Sequence, residues 1–176
     1  MRGPADPARS FRWVVLGAAT VAQMSFSAFT LGLPALTPAI RSHFHASIGA
    51  TGAFLGVVSL GLAATLLPWG LVSDRVGERA VMTIGLLGAS ASLAIGAFSP
   101  SFLLLAVALC IAAALGACVN SAIGRTVLAW FPPEQRGFAY SIRQAGMMVA
   151  AAIAAATLPR VAGAHGLRTA ILVLAA

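Results

Sequence analysis

Two arginines, Arg125 and Arg143, lie inside long apolar segments of the chain. A charged group in apolar surroundings needs a hydrogen-bonded partner. The planar fork of N–H donors on a guanidinium suits a carboxylate or another small oxyanion. We therefore interpret Arg143, with the adjacent Gln144, as a candidate for presenting donors to an anionic substrate. Arg125 is a second candidate, and Asn120, about one helical turn deeper, is expected to add a neutral hydrogen bond.

A structural role is the alternative for both arginines. Long basic side chains near a helix end can extend to the water interface, and Asp74 or Glu134 would be available as ion-pair partners. All 4 acidic residues lie outside the apolar segments: Asp6, Asp74, Glu78 and Glu134. The region around these two arginines is therefore expected to be electropositive.

A second polar feature lies in the first apolar segment, where polar residues recur at steps of three and four: Thr20, Gln23, Ser27 and Thr30. This spacing places them on one face of a helix. Hydroxyl groups can bond to carbonyls of their own helix, so a structural role stays open for the serine and the threonines. Gln23 satisfies itself less easily and is the better candidate for a substrate pocket, with Thr30 as a second candidate on the same face.

Other kinds of chemistry lack a signal. Cys110 and Cys118 are eight residues apart within one apolar segment, a spacing that fits neither a metal knuckle nor a disulfide framework. The histidines fall in predicted loops, and the sequence has no Gly-rich phosphate loop. No apolar segment contains a paired carboxylate or a nucleophile beside a base. We expect no enzymatic activity, no cofactor and no metal.

The composition indicates a membrane protein. Of 176 residues, 60% are hydrophobic and 9% charged, whereas a soluble domain carries about 25% charged residues. The net charge of +7 comes from arginines that occur singly, mostly at the edges of apolar segments. This pattern orients membrane helices and does not indicate nucleic-acid binding.

Charges and prolines divide the chain into six apolar segments. A span needs about 20 residues, and the break at Ser99-Pro100-Ser101 separates the third segment from the fourth. Pro159-Arg160 is predicted to end the fifth. We expect a tail at 1–12 and spans at about 13–36, 48–71, 80–98, 102–131, 138–158 and 167–176, the last incomplete. The predicted fold is an all-α membrane bundle of six helices with a truncated sixth helix, so we expect the chain to be a fragment.

The arginines also predict the orientation. With the N-terminus in the cytoplasm, the inner segments hold Arg2, Arg9, Arg12, Arg75, Arg79 and Arg136, whereas the outer ones hold Arg41, Arg160 and Arg168. This distribution obeys the positive-inside rule. All three tryptophans (Trp13, Trp69 and Trp130) then fall at cytoplasmic helix ends, where an amphipathic ring is well accommodated.

Small residues recur at three- and four-residue steps in four segments. Lipid tails are as apolar as leucine, so membrane helices associate through close packing that small residues allow. The stripes are Gly49, Gly52, Gly56 and Ser59; Gly85, Gly88, Ser92 and Gly96; Gly116, Asn120 and Gly124; Gly146, Ala150 and Ala154. We expect them to be helix contacts.

The short connection after the second segment reads Gly-Leu-Val-Ser-Asp-Arg-Val-Gly-Glu-Arg over residues 70–79. It resembles the signature loop of the major facilitator superfamily. The matching positions are Gly70, Asp74, Arg75, Gly77 and Arg79. Glu78 departs from the pattern, because the family usually has a basic residue there. Gly77 can supply the positive φ that so short a reversal tends to need.

The resemblance covers essentially the whole chain. Residues 130–137, with Trp130-Phe131 and Arg136-Gly137, look like the family's loop between the fourth and fifth helices. The resemblance implies that the chain is the N-terminal half of a secondary active transporter in the plasma or inner membrane. Such a transporter moves a small solute by alternating access. The partners implied are lipid, a coupling ion expected to be a proton, and a C-terminal six-helix half absent from this sequence. Asp74 is expected to latch the inner gate in the outward-open state.

Two alternatives remain open. The chain has no adjoining Gly-Pro in its fifth segment, so the family's antiporter signature is not satisfied. Export of apolar or amphipathic compounds is nevertheless the alternative within transport. The alternative outside it is a truncated membrane protein that only assembles with a partner. A faint internal echo, Gly77-Glu78-Arg79 against Gly166-Leu167-Arg168, suits the inverted repeats of this fold.

The orientation can be tested with single cysteines at Ser47 and Val76 in a variant whose native cysteines are replaced by alanine. We expect an impermeant maleimide to label Ser47→Cys on intact cells and Val76→Cys only after permeabilisation, because the arginine distribution places these positions on opposite sides. Labelling of both positions on intact cells would contradict the orientation.

Overall fold

The computed structural model describes residues 7–121 and 130–176, with side chains from Phe11 onward. Its described part is helical, so the prediction of an all-α fold is confirmed. The helices are α1 (Pro7–Gly32), α2 (Thr37–Phe44), α3 (Ile48–Val76), α4 (Glu78–Ala97), α5 (Phe102–Gly116) and α6 (Pro133–Ala175), with a 3-10 turn at Leu33–Leu36 between α1 and α2. Within the described ranges, five helical stretches are long and apolar enough to cross a membrane.

Side chains and unusual backbone angles fix several helix ends. Ser47 Oγ accepts the Ala50 N–H at 3.1 Å at the start of α3, and Ser101 Oγ accepts the Leu104 N–H at 3.3 Å at the start of α5. Such caps satisfy one of the free N–H groups of a first turn. His45, with φ 51, ends α2. These three helix ends are therefore determined by residues at the ends themselves.

The connection that carries the family-like motif is almost entirely helical. The second span was predicted to end near residue 71, yet α3 continues to Val76 and α4 begins at Glu78. Only Gly77 lies between them, with φ 89 and ψ 152. Charged residues mark where a span leaves the lipid, but they do not stop a helix from continuing into water.

The prediction that Pro159-Arg160 ends a helix is wrong. α6 passes through Pro159, and the departure from helical geometry comes at Gly166, with φ 85 and ψ 162. A proline removes one backbone hydrogen bond, and membrane helices tolerate this because nearby groups compensate. Arg160 Nη1 donates to the carbonyl of Ala156 in the same turn, at 2.6 Å. Gly166 thus divides α6 into a long first helix and a short final helix.

The other boundaries differ less. Residues 7–12, predicted as a tail, are helical and belong to α1. Beyond residue 36 the chain continues through α2, so the first helical stretch reaches Phe44. α5 ends at Gly116, and after a turn at Ala117 the chain is helical again up to Ser121. The rest of the predicted fourth span, at 122–129, lies outside the described residues.

Glycines set the distances between helices at several contacts. A Cβ added at Gly85 in α4 would lie 2.8 Å from the Leu115 carbonyl oxygen in α5 and would collide with Cys118. A Cβ at Gly61 in α3 would lie 3.0 Å from the Cys110 carbonyl oxygen. α5 is therefore packed at backbone distance against both α3 and α4.

The stripe in α3 behaves differently from the expectation. Gly52 and Gly56 are exposed and have open space around them, and a Cβ at Gly49 would meet only Ser47, at 3.9 Å. Their spacing allows contact but cannot specify a neighbour. Within the described residues this face of α3 does not pack against another helix.

Hydroxyl and indole donors add bonds between helices. Thr65 Oγ1 and Trp69 Nε1 in α3 both donate to the carbonyl of Ala114 in α5, at 3.0 and 2.7 Å. Ser92 Oγ in α4 donates to the carbonyl of Ala108, at 2.7 Å. These polar groups are satisfied across helices, as an apolar environment requires.

The role of Gly85 predicts a loss of stability. Gly85→Ala should cost about 1–3 kcal/mol, because the added methyl group overpacks the contact with α5. The apparent Tm of the purified protein should fall. Gly17→Ala is the matched control, since a Cβ there meets nothing within 4 Å. Equal Tm values for the two variants would contradict the packing role of Gly85.

Candidate functional site

Gln23 is the centre of a polar network inside the bundle. Its side chain is 1% exposed. Its Oε1 accepts from Arg143 Nη2 at 3.0 Å, and its Nε2 donates to Asn120 Oδ1 at 3.2 Å. Arg143 Nη2 also donates to Asn120 Oδ1 at 3.3 Å. The structure thus brings together three candidates that are far apart in sequence: Gln23 on α1, Asn120 in the helical residues that follow the turn after α5, and Arg143 on α6.

Two further side chains complete the network. Gln23 Nε2 lies 3.3 Å from Ser27 Oγ, four residues along α1, and 3.8 Å from Met147 Sδ. Ser27 belongs to the predicted polar face of the first helix. Met147 was missed by the sequence reasoning, although it lies one turn after Arg143 and so shares its face of α6.

Small residues allow the three elements to meet. A Cβ added at Gly146 in α6 would lie 2.8 Å from Thr20 Cγ2 in α1, so the backbone of α6 packs directly against the Thr20 side chain there. At Gly116 an added Cβ would collide with the ring of Phe26. The side chains of Gln23 and Asn120 reach Arg143 because side chains of α1 pack directly on these glycines of α5 and α6.

The charge of Arg143 is hydrogen bonded but not neutralised within the described part of the chain. Both of its acceptors there, Gln23 and Asn120, are neutral amides. Its Nε is buried and has no hydrogen-bond partner among residues 7–121 and 130–176. Thr20 Oγ1 is likewise buried without a hydrogen-bond partner among the described residues. A buried donor without a partner costs about 1–3 kcal/mol or more when it is charged, so this arrangement favours an additional acceptor.

The remaining binding candidates do not join this network. Thr30 Oγ1 donates to the Phe26 carbonyl at 3.1 Å and is satisfied on its own helix. Gln144 is exposed, on a different face of α6 from Arg143. Arg125 lies in 122–129, outside the described residues.

The family-like motif forms the junction of α3 and α4. Asp74 and Arg75 are exposed in the last turn of α3, Gly77 has the positive φ that the sequence suggested, and Arg79 is exposed in the first turn of α4. Gly70 lies two turns earlier and is partly buried. The motif thus forms a corner at which only Gly77 separates two helices.

The cysteines pack against neighbouring helices. Cys110 Sγ lies 3.5 Å from the Val57 carbonyl oxygen, and Cys118 is buried against Gly85. In the described part of the chain, no three His, Cys, Asp or Glu residues are grouped closely enough to hold a metal ion.

Comparison with known proteins agrees with the motif. A family model described as Major Facilitator Superfamily matches residues 15–176. Two Mycobacterium tuberculosis proteins, from strains CDC 1551 / Oshkosh and H37Rv, are both named as uncharacterized MFS-type transporters. Each is 34% identical over 157 residues, which cover 88% of this chain and 35% of the relative. The chain therefore spans about a third of the length of these relatives.

Proposed function

This chain belongs to the major facilitator superfamily, and on that basis we propose that it forms the first six-helix half of a secondary active transporter for a small organic or inorganic anion. The transporter works by alternating access, with a cavity between two halves. It lies in the cell membrane with its N-terminus in the cytoplasm. The observation that carries the choice of an anion is the hydrogen-bonded guanidinium of Arg143.

A fixed guanidinium is the right group for an anion. The amides of Gln23 and Asn120 hold Nη2 of Arg143, so the fork is already oriented before a solute arrives. Preorganisation of this kind raises affinity because fewer rotamers are lost on binding.

The second half is proposed to cover the open face of α3. The glycines Gly49, Gly52 and Gly56 leave this face smooth, and nothing in the described residues packs on it. Close packing over small residues is how membrane helices associate. The chain's length relative to its matches allows for such a half.

A proton is the proposed coupling ion. The apolar segments of this half contain no acidic residue, so the carboxylate that binds the proton would have to come from the second half. Buried carboxylates of that kind form the proton relays of many transporters.

Removing the charge of Arg143 tests the anion proposal. Arg143→Gln in the full-length protein should lower the apparent affinity for the transported anion at least tenfold, because a hydrogen bond to a charged group contributes about 1.5 to 3 kcal/mol. Gln23→Glu should also lower the apparent affinity, since a carboxylate about 3 Å from Nη2 would form an ion pair with the guanidinium and compete with the anion. The measurement is uptake into proteoliposomes across organic anions, sugars and amphipathic cations, with membrane abundance measured in parallel.

Arg160→Gln is the matched control for Arg143→Gln. Arg160 is an exposed arginine on the same helix, bonded to the carbonyl of its own helix at Ala156. It should leave affinity unchanged. Normal affinity in Arg143→Gln, or uptake of cations only, would refute the anion proposal; reduced abundance with normal affinity would make Arg143 structural.

The gate proposal concerns Asp74. Asp74→Asn should leave folding intact but reduce the uptake rate, because the latch of the outward-open state loses its charge and the protein shifts toward the inward-open form. Glu78→Gln is the control, since the family pattern has no acid at this position. Cysteine accessibility from each side reports the shift. Unchanged uptake in Asp74→Asn would contradict the gate proposal and would mean that the motif only directs membrane topology.

A further inference from the structure

A groove of about 810 Å³ lies between α4 and α5, on the outside of the described bundle. Its lining is almost entirely apolar and largely exposed, and includes Gly88, Ala91 and Phe98 from α4 with Leu104, Val107 and Ile111 from α5. The hydroxyl of Ser92 in this lining is already used, because it donates to the Ala108 carbonyl. The hydroxyl of Ser92 therefore does not interrupt the apolar surface of the groove.

The groove is about as long as one membrane leaflet is thick. From Phe98 to Gly88 the helix advances ten residues, or about 15 Å at 1.5 Å per residue. The hydrocarbon core of a bilayer is about 30 Å thick, so this is half of it. The upper end lies at Ser99-Pro100-Ser101, where α4 gives way to α5. The groove thus extends from the predicted outer interface towards the middle of the membrane.

A cation lies at the upper end. The guanidinium of Arg168 is 3.7 Å from the centroid of the Phe98 ring. Gly166, with φ 85, redirects the chain just before it. Stacking on an aromatic face leaves the N–H edges of a guanidinium available to an anion. Arg168 is exposed, and no acidic side chain forms an ion pair with it among residues 7–121 and 130–176.

We propose that this groove binds one acyl chain of an anionic phospholipid, whose phosphate contacts Arg168. The apolar lining suits an acyl chain, and the length of the groove fits a single leaflet. The positive charge of Arg168 complements the phosphate of the headgroup. The groove shares no lining residue with the network of Gln23, Asn120 and Arg143. It therefore opens to the lipid independently of the proposed transport site, and its test does not depend on transport.

The charge is tested by lipid binding to the full-length protein. Native mass spectrometry in mixed micelles should show phosphatidylglycerol binding in preference to phosphatidylcholine. Arg168→Gln should reduce phosphatidylglycerol binding about fivefold, the effect of one basic residue at an anionic surface, and should leave phosphatidylcholine unchanged. Arg160→Gln, an exposed arginine on the same helix, should behave as wild type. Equal phosphatidylglycerol binding by Arg168→Gln and wild type overturns the proposal.

The apolar part is tested by filling the groove. Ala91→Trp should reduce binding of both lipids, because the indole occupies the space of the acyl chain. Ile84→Trp is the matched control, since Ile84 is exposed on α4 but does not line the groove. Both variants are first compared with wild type by Tm, so that only folded protein is assayed. Unchanged lipid binding in folded Ala91→Trp overturns the proposal.

The identity of the occupant is tested by photocrosslinking. A benzophenone amino acid at Val107, in membranes, should give an adduct with the mass of a phospholipid. An adduct with the same polypeptide, a second copy or another protein would assign the groove to protein packing and overturn the proposal. Inorganic phosphate at millimolar concentration should not displace phosphatidylglycerol; displacement would mean that Arg168 binds a free anion.

Discussion

Close packing of helices over glycine is the constraint on which this structure depends. In lipid there is no hydrophobic drive between apolar helices, so they associate through packing and a few hydrogen bonds. At Gly146 and Gly116 the backbones of α6 and α5 pack directly against the side chains of Thr20 and Phe26 in α1. A larger residue at either place would separate the elements that carry Gln23, Asn120 and Arg143. The polar network is thus a consequence of glycine packing as much as of its own hydrogen bonds.

The network holds the partly buried charge of Arg143 in place without neutralising it. Arg143 obtains hydrogen bonds from Gln23 and Asn120, which hold it in place, but these amides bring no negative charge. In the function proposed above, the balancing negative charge comes from the solute or from the second half. An anion bound elsewhere on the guanidinium would leave the hydrogen bonds of Nη2 in place, so its charge could be neutralised while the link between α1 and α6 persists.

Much of this arrangement could be predicted from the sequence, and the exceptions have physical causes. Polar residues within apolar segments are rare, so Gln23 and Arg143 were identifiable without coordinates. Their mutual distance was not, because it depends on which helices pack together. Helix ends were predicted less well, since Pro159 was read as a stop and the charges after residue 71 as a loop. The exposed glycines of α3 show the same limit: spacing indicates that contact is possible, but not with what.

The backbone contacts of α5 have a mechanical consequence. Gly61 on α3 faces the Cys110 carbonyl, and Gly85 on α4 faces the Leu115 carbonyl. Residues four positions along the same face of α3, Val57 and Thr65, carry branched side chains. A shift of one helical turn along this interface would place one of them against the Cys110 carbonyl. The register of α3 on α5 is therefore held by Gly61, and the two helices would have to separate before they could slide past each other.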